Sequence, residues 1–165
     1  MSALVLSRLD YGNATLYGLP TSQLNKYQAV MNAAARLIFG ARGRDHITPL
    51  LIQLHWLKVR ERIAFKLACL TWRCLNGSGP EYLTSDLCCV SDGRQRQGLR
   101  SDSSLHLVRP RTNNVTHGDR AWPVAAASVW NSLEPDHLRL VTSYLEFRRG
   151  VKTFLWSQSY DCQDY

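Results

Sequence analysis

The sequence predicts a mainly α fold. Three observations carry this: apolar residues recur at three- and four-residue spacing in several long segments, Gly and Pro punctuate those segments, and only one short stretch looks extended. With 165 residues, 45% of them apolar, the chain can bury a sizeable core, and that composition argues against disorder throughout.

Residues 1–17 read as a helix closed by Gly18 and Pro20. Ser22 is then expected to cap a second helix in which Leu24, Tyr27, Met31, Ala34 and Ile38 share a face, with Gly40 as its left-handed terminator. Thr48 and Pro49 resemble a cap and a first-turn proline, opening a short helix that reaches Leu54. Past His55 and Trp56, a longer helix is expected over 59–75. Its apolar stripe is Val59, Ile63, Leu67, Leu70 and Cys74, and Gly77 ends it.

Residues 80–87 suit one further short helix, and SDGRQRQGLRSDSS has the composition of a flexible basic loop. Residues 105–108 look extended, part of a small hairpin or an irregular arm, because the Arg-Pro-Arg that follows cannot continue a regular helix. A helix over 125–133 should stop at Glu134-Pro135. Ser143 with Glu146 then forms a capping box for a last helix through about Trp156, with Tyr144, Phe147, Val151, Phe154 and Leu155 inward. The organisation read from this pattern is a helical unit at 1–40, a basic helical extension at 41–87, a linker at 88–104, and a C-terminal arm with helices at 105–165.

The formal net charge is +7, and arginine supplies 16 of the 20 basic residues. A guanidinium fork suits bidentate phosphate contact better than an ammonium does. Positive charge gathers in two blocks: eight basic against two acidic residues over 32–77, and six against two over 94–120. Arg36, Arg42, Arg44, Arg60, Arg62, Lys66, Arg109, Arg111 and Arg120 are therefore the candidate phosphate contacts. The residues alone leave open whether these blocks grip a polyanion or form a solvated basic face.

Motifs for other chemistry are missing. The five histidines are scattered, without H-E-x-x-H or a zinc-finger spacing; there is no G-x-S-x-G, no phosphate-cradling Gly loop and no Asp-Asp or Asp-x-Asp pair for magnesium. His55 is expected to fix an inter-helix corner, its imidazole bonding a free helix-end carbonyl, and Cys69 and Cys74 to pack in the core. Five cysteines without a C-x-x-C pair, and no secretory leader at the N-terminus, suggest reduced thiols inside the cell, cytoplasmic or nuclear. No run approaches the length of a membrane span.

A set of short segments gives the chain a further likeness. In order these are Ser7-Arg8-Leu9-Asp10-Tyr11, Leu16-Tyr17-Gly18-Leu19-Pro20, Asn32-Ala33-Ala34-Ala35-Arg36-Leu37-Ile38, His46-Ile47-Thr48-Pro49 and Leu54-His55-Trp56-Leu57. Then follow Leu75-Asn76-Gly77, Gly118-Asp119-Arg120-Ala121 and Trp130-Asn131-Ser132-Leu133. In their order and spacing, over about residues 3–156, the chain resembles the C-terminal, thumb and post-thumb region of a reverse transcriptase from non-LTR (LINE-type) retrotransposons, near the jockey and chicken-repeat groups. Gly12 stands where such elements often carry cysteine, Lys58 and Ser128 where proline is usual, and Glu134 separates Leu133 from Pro135.

The resemblance implies a thumb-like helical unit at 1–40 and sequence-independent contact with the backbone of RNA or an RNA/DNA hybrid. The family's magnesium-binding Asp-Asp sequence and most of its polymerase domain would precede Met1. On that reading this chain holds no cofactor, lacks the catalytic palm, which is a further possible partner, and does not itself act as an RNA-directed DNA polymerase. The alternatives are a host-retained helical protein-interaction module and a fragment without function.

Overall fold

The structure, a computed structural model, describes residues 2–90, 105–112, 118–134 and 137–160, with side chains from Leu6 onward. The expected basic loop, residues 91–104, lies outside them, and of the expected linker 88–104 only residues 88–90 are described. Among the described residues there are eight α-helices and no strand longer than an isolated bridge, so the fold is mainly α.

Helix α1 is Ser2–Asp10, shorter than the periodicity of 1–17 suggested. Gly12 turns the chain at φ 66°, and a 3-10 turn follows over Asn13–Leu16. Local side-chain bonds compete with helix continuation here: Asn13 Nδ2 donates to Asp10 Oδ1 at 3.3 Å and Thr15 Oγ1 to the Gly12 carbonyl at 2.7 Å. Helix α2, Thr21–Phe39, begins before the expected Ser22 cap. Extended Pro20 precedes it, and the Pro20 carbonyl accepts from the N–H groups of Gln23 and Leu24. Leu24, Met31 and Ala35 are its buried residues, whereas Tyr27 lies at the surface.

Helix α3 is Thr48–Gln53. Thr48 makes no side-chain cap; Ile47 takes the cap position and its carbonyl accepts from Leu50 and Leu51. Helix α4, Val59–Leu75, has the expected bounds. It is the central element: Val59, Ile63, Leu67, Ala68, Cys69, Thr71, Trp72 and Cys74 are all buried, more than one stripe's worth, because partners cover it on several sides. Helix α5 is the single turn Glu81–Thr84.

Residues 105–108 are extended as expected, and their partner is the segment just after α5. Leu107 bridges Cys89 in antiparallel fashion, with Val90 N–H on the His106 carbonyl at 3.0 Å and Val108 N–H on the Cys88 carbonyl at 2.8 Å. A 3-10 turn over Gly118–Arg120 leads into helix α6, Trp122–Asn131, which starts earlier than expected because Pro123 sits in its first turn. Helix α7, His137–Leu140, had no counterpart in the sequence pattern. Helix α8, Tyr144–Tyr160, follows Ser143 and runs beyond Trp156, burying Phe147, Val151, Leu155, Ser159 and Tyr160.

The core joins α2, α3, α4, α6 and α8 in one cluster. Phe147, fully buried, lies between Trp72 and Trp130, with ring centroids 5.8 and 5.7 Å away. Three of the indoles that enter this packing find backbone acceptors, two in connecting segments and one in α5. Trp72 Nε1 donates to the Val141 carbonyl, Trp130 Nε1 to Leu105 and Trp122 Nε1 to Leu83, at 2.7–2.9 Å. Asn131 adds a two-way clasp on Leu107, accepting its N–H and donating to its carbonyl, both at 2.9 Å.

Arg139 is the buried cation of this region, only 6% exposed. Its guanidinium closes the C-terminal end of α6: Nε donates to the Trp130 carbonyl at 3.1 Å, and Nη2 to Asn131 at 3.1 Å and Leu133 at 2.8 Å. Those are carbonyls that a helix end leaves without intrahelical partners. Replacing Arg139 by Met should therefore cost roughly 2–4 kcal/mol in chemical denaturation, and Arg139→Lys should recover little of it, since an ammonium cannot span three acceptors as the fork does.

Candidate functional site

Helices α4 and α8 run antiparallel. Lys58 at the start of α4 meets the end of α8, with Nζ 2.7 Å from the Ser159 carbonyl and 5.1 Å from the Tyr160 ring, while Trp72 near its end meets Tyr144 at the start of α8. The buried stripes place Ile63 and Leu67 on one helix and Phe147 and Val151 on the other. Each has a cation as its immediate neighbour in sequence: Arg62 before Ile63, Lys66 before Leu67, Arg148 after Phe147 and Lys152 after Val151. When the stripes pack, the four cations converge on one cleft of about 330 Å³, closed by the α3–α4 corner and by α1.

Among the described residues the only carboxylate lining that cleft is Asp10, and Arg62 holds it in a two-bond pair, Nε to Oδ1 at 2.6 Å and Nη2 to Oδ2 at 2.7 Å. Lys66, Arg148 and Lys152 are exposed, and no described carboxylate lies within ion-pair distance of them. Arg148 stands over the Phe65 ring at 6.0 Å. This arrangement offers three solvated cations, held on two rigid helices, to an anionic ligand that spans the cleft.

The structure thus brings together two of the nine expected phosphate contacts, Arg62 and Lys66, and adds two that the sequence blocks did not single out, Arg148 and Lys152. The others lie elsewhere. Arg36, Arg42 and Arg44 attend the α2–α3 turn, where Arg36 Nη2 donates to the Asp45 carbonyl at 3.4 Å and Arg42 and Arg44 are exposed. Arg60 lies on another side of α4 and donates to Thr21 Oγ1 at 2.6 Å. Arg109 pairs with Asp119 at 3.4 Å, Arg111 is exposed, and Arg120 donates to the Thr15 carbonyl at 3.2 Å. Arg120 and Arg62 thereby tie the N-terminal turns to the rest of the fold.

His55 is at the corner as expected, but its role differs. The backbone, not the imidazole, makes the closing bonds: His55 N–H donates to Ile52 at 2.9 Å and Trp56 N–H to Leu51 at 3.0 Å. Its φ is 53°, and its ring lines the cleft, 5.8 Å from the Trp156 ring.

Cys69 and Cys74 are buried. Burial pushes the Cys69 thiol up to about 11 despite the opposing field of Arg148, a hydrogen bond with Tyr144 and the field of Lys66, and burial raises Cys74 as well. Neither is the exposed, low-pKa thiol that nucleophilic chemistry needs. Magnesium of the kind the resemblance implies does not fit the donors present. No paired aspartates occur in the sequence, and among the described residues no three His, Cys, Asp or Glu side chains converge. Among the described residues no helix is long and apolar enough to cross a membrane.

No protein-family model matches the chain, and neither a curated protein nor a solved structure matches it.

Two outcomes follow from this geometry. Asp10→Asn should lower stability by about 1–2 kcal/mol by breaking the pair with Arg62, yet strengthen retention on a heparin column because the cleft gains a free guanidinium. Alkaline stability should also reflect the buried groups. Burial lifts Cys69 from its ordinary 9.0 to about 11, and Tyr160, through burial and then the Glu61 charge, from 10.0 to about 12. Unfolded thiol and phenol release their protons first as pH rises, so the stabilisation is complete below pH 9, fades between pH 9 and 12 and is gone above. Tyr160→Phe should flatten the fall in Tm between pH 10 and 12, and Cys69→Ala that between pH 9 and 11.

Proposed function

We propose that this chain binds RNA or an RNA/DNA hybrid through the sugar-phosphate backbone, without sequence preference, using the cleft between α4 and α8, and that it derives from the C-terminal region of a non-LTR retrotransposon reverse transcriptase. The single observation that carries the binding reading is the convergence of Arg62, Lys66, Arg148 and Lys152 around one carboxylate, Asp10, that Arg62 alone of the four already engages through both oxygens. A net charge of +7 supplies the long-range attraction, and the scarcity of ion pairs among the described residues leaves most of it available. The family origin rests on the ordered segments named above. Several of them form joints of this fold: Asp10 holds Arg62, Asn76-Gly77 closes α4, and Trp130-Asn131 clasps Leu107.

Backbone binding requires cations on a rigid frame and no acid, base or metal, which agrees with the absence of catalytic motifs from the sequence. The chain alone is not expected to polymerise DNA.

A second reading, a protein-interaction module, is favoured by the outer side of α2, where Val30 and Leu37 are 54% and 67% exposed. A monomeric chain in sedimentation whose nucleic-acid affinity is unchanged in Val30→Glu/Leu37→Glu would discard it.

Affinity for RNA, measured by anisotropy over a salt series, should fall with a log–log slope of about −2 to −3, as about 0.7–0.9 per neutralised phosphate requires for three free cations. Lys66→Glu/Arg148→Glu/Lys152→Glu should reduce both affinity and slope. Binding that is indifferent to salt, or to that triple substitution, would overturn the proposal.

A further inference from the structure

We infer that the cleft takes single-stranded nucleic acid, with an unpaired base stacked on His55 beside Trp156 while the strand's phosphates lie on Lys66, Arg148 and Lys152. This rests on the phosphate-binding reading of the same cleft and adds what that reading does not specify, the strandedness of the ligand.

The first observation is a backbone conformation that the corner does not need from histidine. Helices α2, α3 and α4 all end with the same pair of closing bonds. In α2 these are Ala41 N–H to Arg36 and Gly40 N–H to Leu37, in α3 Trp56 N–H to Leu51 and His55 N–H to Ile52, and in α4 Ser78 N–H to Arg73 and Gly77 N–H to Cys74. The left-handed residue is glycine at two of these ends, Gly40 at φ 62° and Gly77 at φ 68°; at the third it is His55, at φ 53°. A Cβ in this region costs about 1–2 kcal/mol that glycine avoids. Residues held in such conformations cluster at binding sites, where the side chain's position has a use.

The second observation is where the imidazole stands. It is exposed, it makes no hydrogen bond with a described residue, and it faces the cleft that holds the three solvated cations. The Trp156 ring, on α8, lies 5.8 Å from the His55 ring and is tilted at 45° to it, and it is itself 4.5 Å from Tyr160, so the imidazole adjoins an aromatic cluster of α8. An aromatic face beside a basic track is the arrangement that recognises unpaired bases, because every base has a π-face and a duplex hides it between neighbours. A cleft of about 330 Å³ is on the scale of a small-ligand pocket, enough for one nucleotide whose base is free to leave the strand's stack.

The test uses the full chain with two probes at matched salt, labelled oligouridylate and a labelled poly(A)·poly(U) duplex, read by anisotropy, with thermal melts alongside. The wild-type chain should prefer the single strand. His55→Gly keeps the left-handed corner, so its Tm should stay the same or rise, whereas its affinity for oligouridylate should fall about five- to tenfold and its affinity for the duplex should not change. His55→Asn, which also tolerates this backbone and lacks a ring, should behave alike and decides the matter should the glycine variant not fold.

If both ring-less variants bind oligouridylate as the wild type does, or if the wild type prefers the duplex, the stacking inference is wrong. The phosphate reading then still stands provided that Lys66→Glu/Arg148→Glu/Lys152→Glu weakens both probes. If that triple substitution weakens neither, the phosphate reading fails as well.

Discussion

The antiparallel packing of α8 on α4 is the constraint from which the rest of the molecule follows. Burying Ile63 and Leu67 in the same core as Phe147 and Val151 removes apolar side chains from water, each worth about 1.5–3 kcal/mol. The register is set at both ends, by Lys58 on the Ser159 carbonyl and by Trp72 against Tyr144. With the register fixed, residues next to the stripes have no freedom over which neighbours they meet. The basic cleft is a by-product of the core.

The connecting segments and the single-turn α5 are held by the same elements. Trp72, Trp122 and Trp130 give their indole protons to carbonyls of Val141, Leu83 and Leu105, and Asn131 pairs with both polar groups of Leu107. Each bond satisfies a group that a loop would otherwise leave to water, while the ring beside it fills the core. Arg139 does the equivalent for the end of α6. A chain with one isolated β-bridge among its described residues thus stays ordered between helices by side-chain to backbone bonds rather than by sheet ladders.

Periodicity made the bounds of α4 legible, since four of its five expected stripe positions are buried, Leu70 being half-buried, and Gly77 follows it. It read α1 too long, because apolar spacing continues past Gly12 while Asn13 and Thr15 bond locally and turn the chain. The short α7 carried too little pattern to be seen, and Pro123 marked the start of α6 more accurately than the alanine run did. The candidate site was half visible. Charge counted in blocks along the chain found Arg62 and Lys66 but passed over Arg148 and Lys152, which lie in a segment that is not basic on balance. Their signal was different: two cations four residues apart, each beside a core position, mirrored on a second helix. The strain at His55 has no sequence signal, because only the closing bonds of α3 reveal that the position is left-handed.

The most direct measurement is an amide chemical-shift map of the isotopically labelled chain titrated with oligouridylate at low salt. Perturbations should concentrate at residues 54–57 and 62–66 and at 148–152, the last far from the first two in sequence and brought to them by the α4–α8 register. Perturbations confined to the 109–120 arm or the α2–α3 turn, or none at saturating ligand, would contradict the placement of the binding surface.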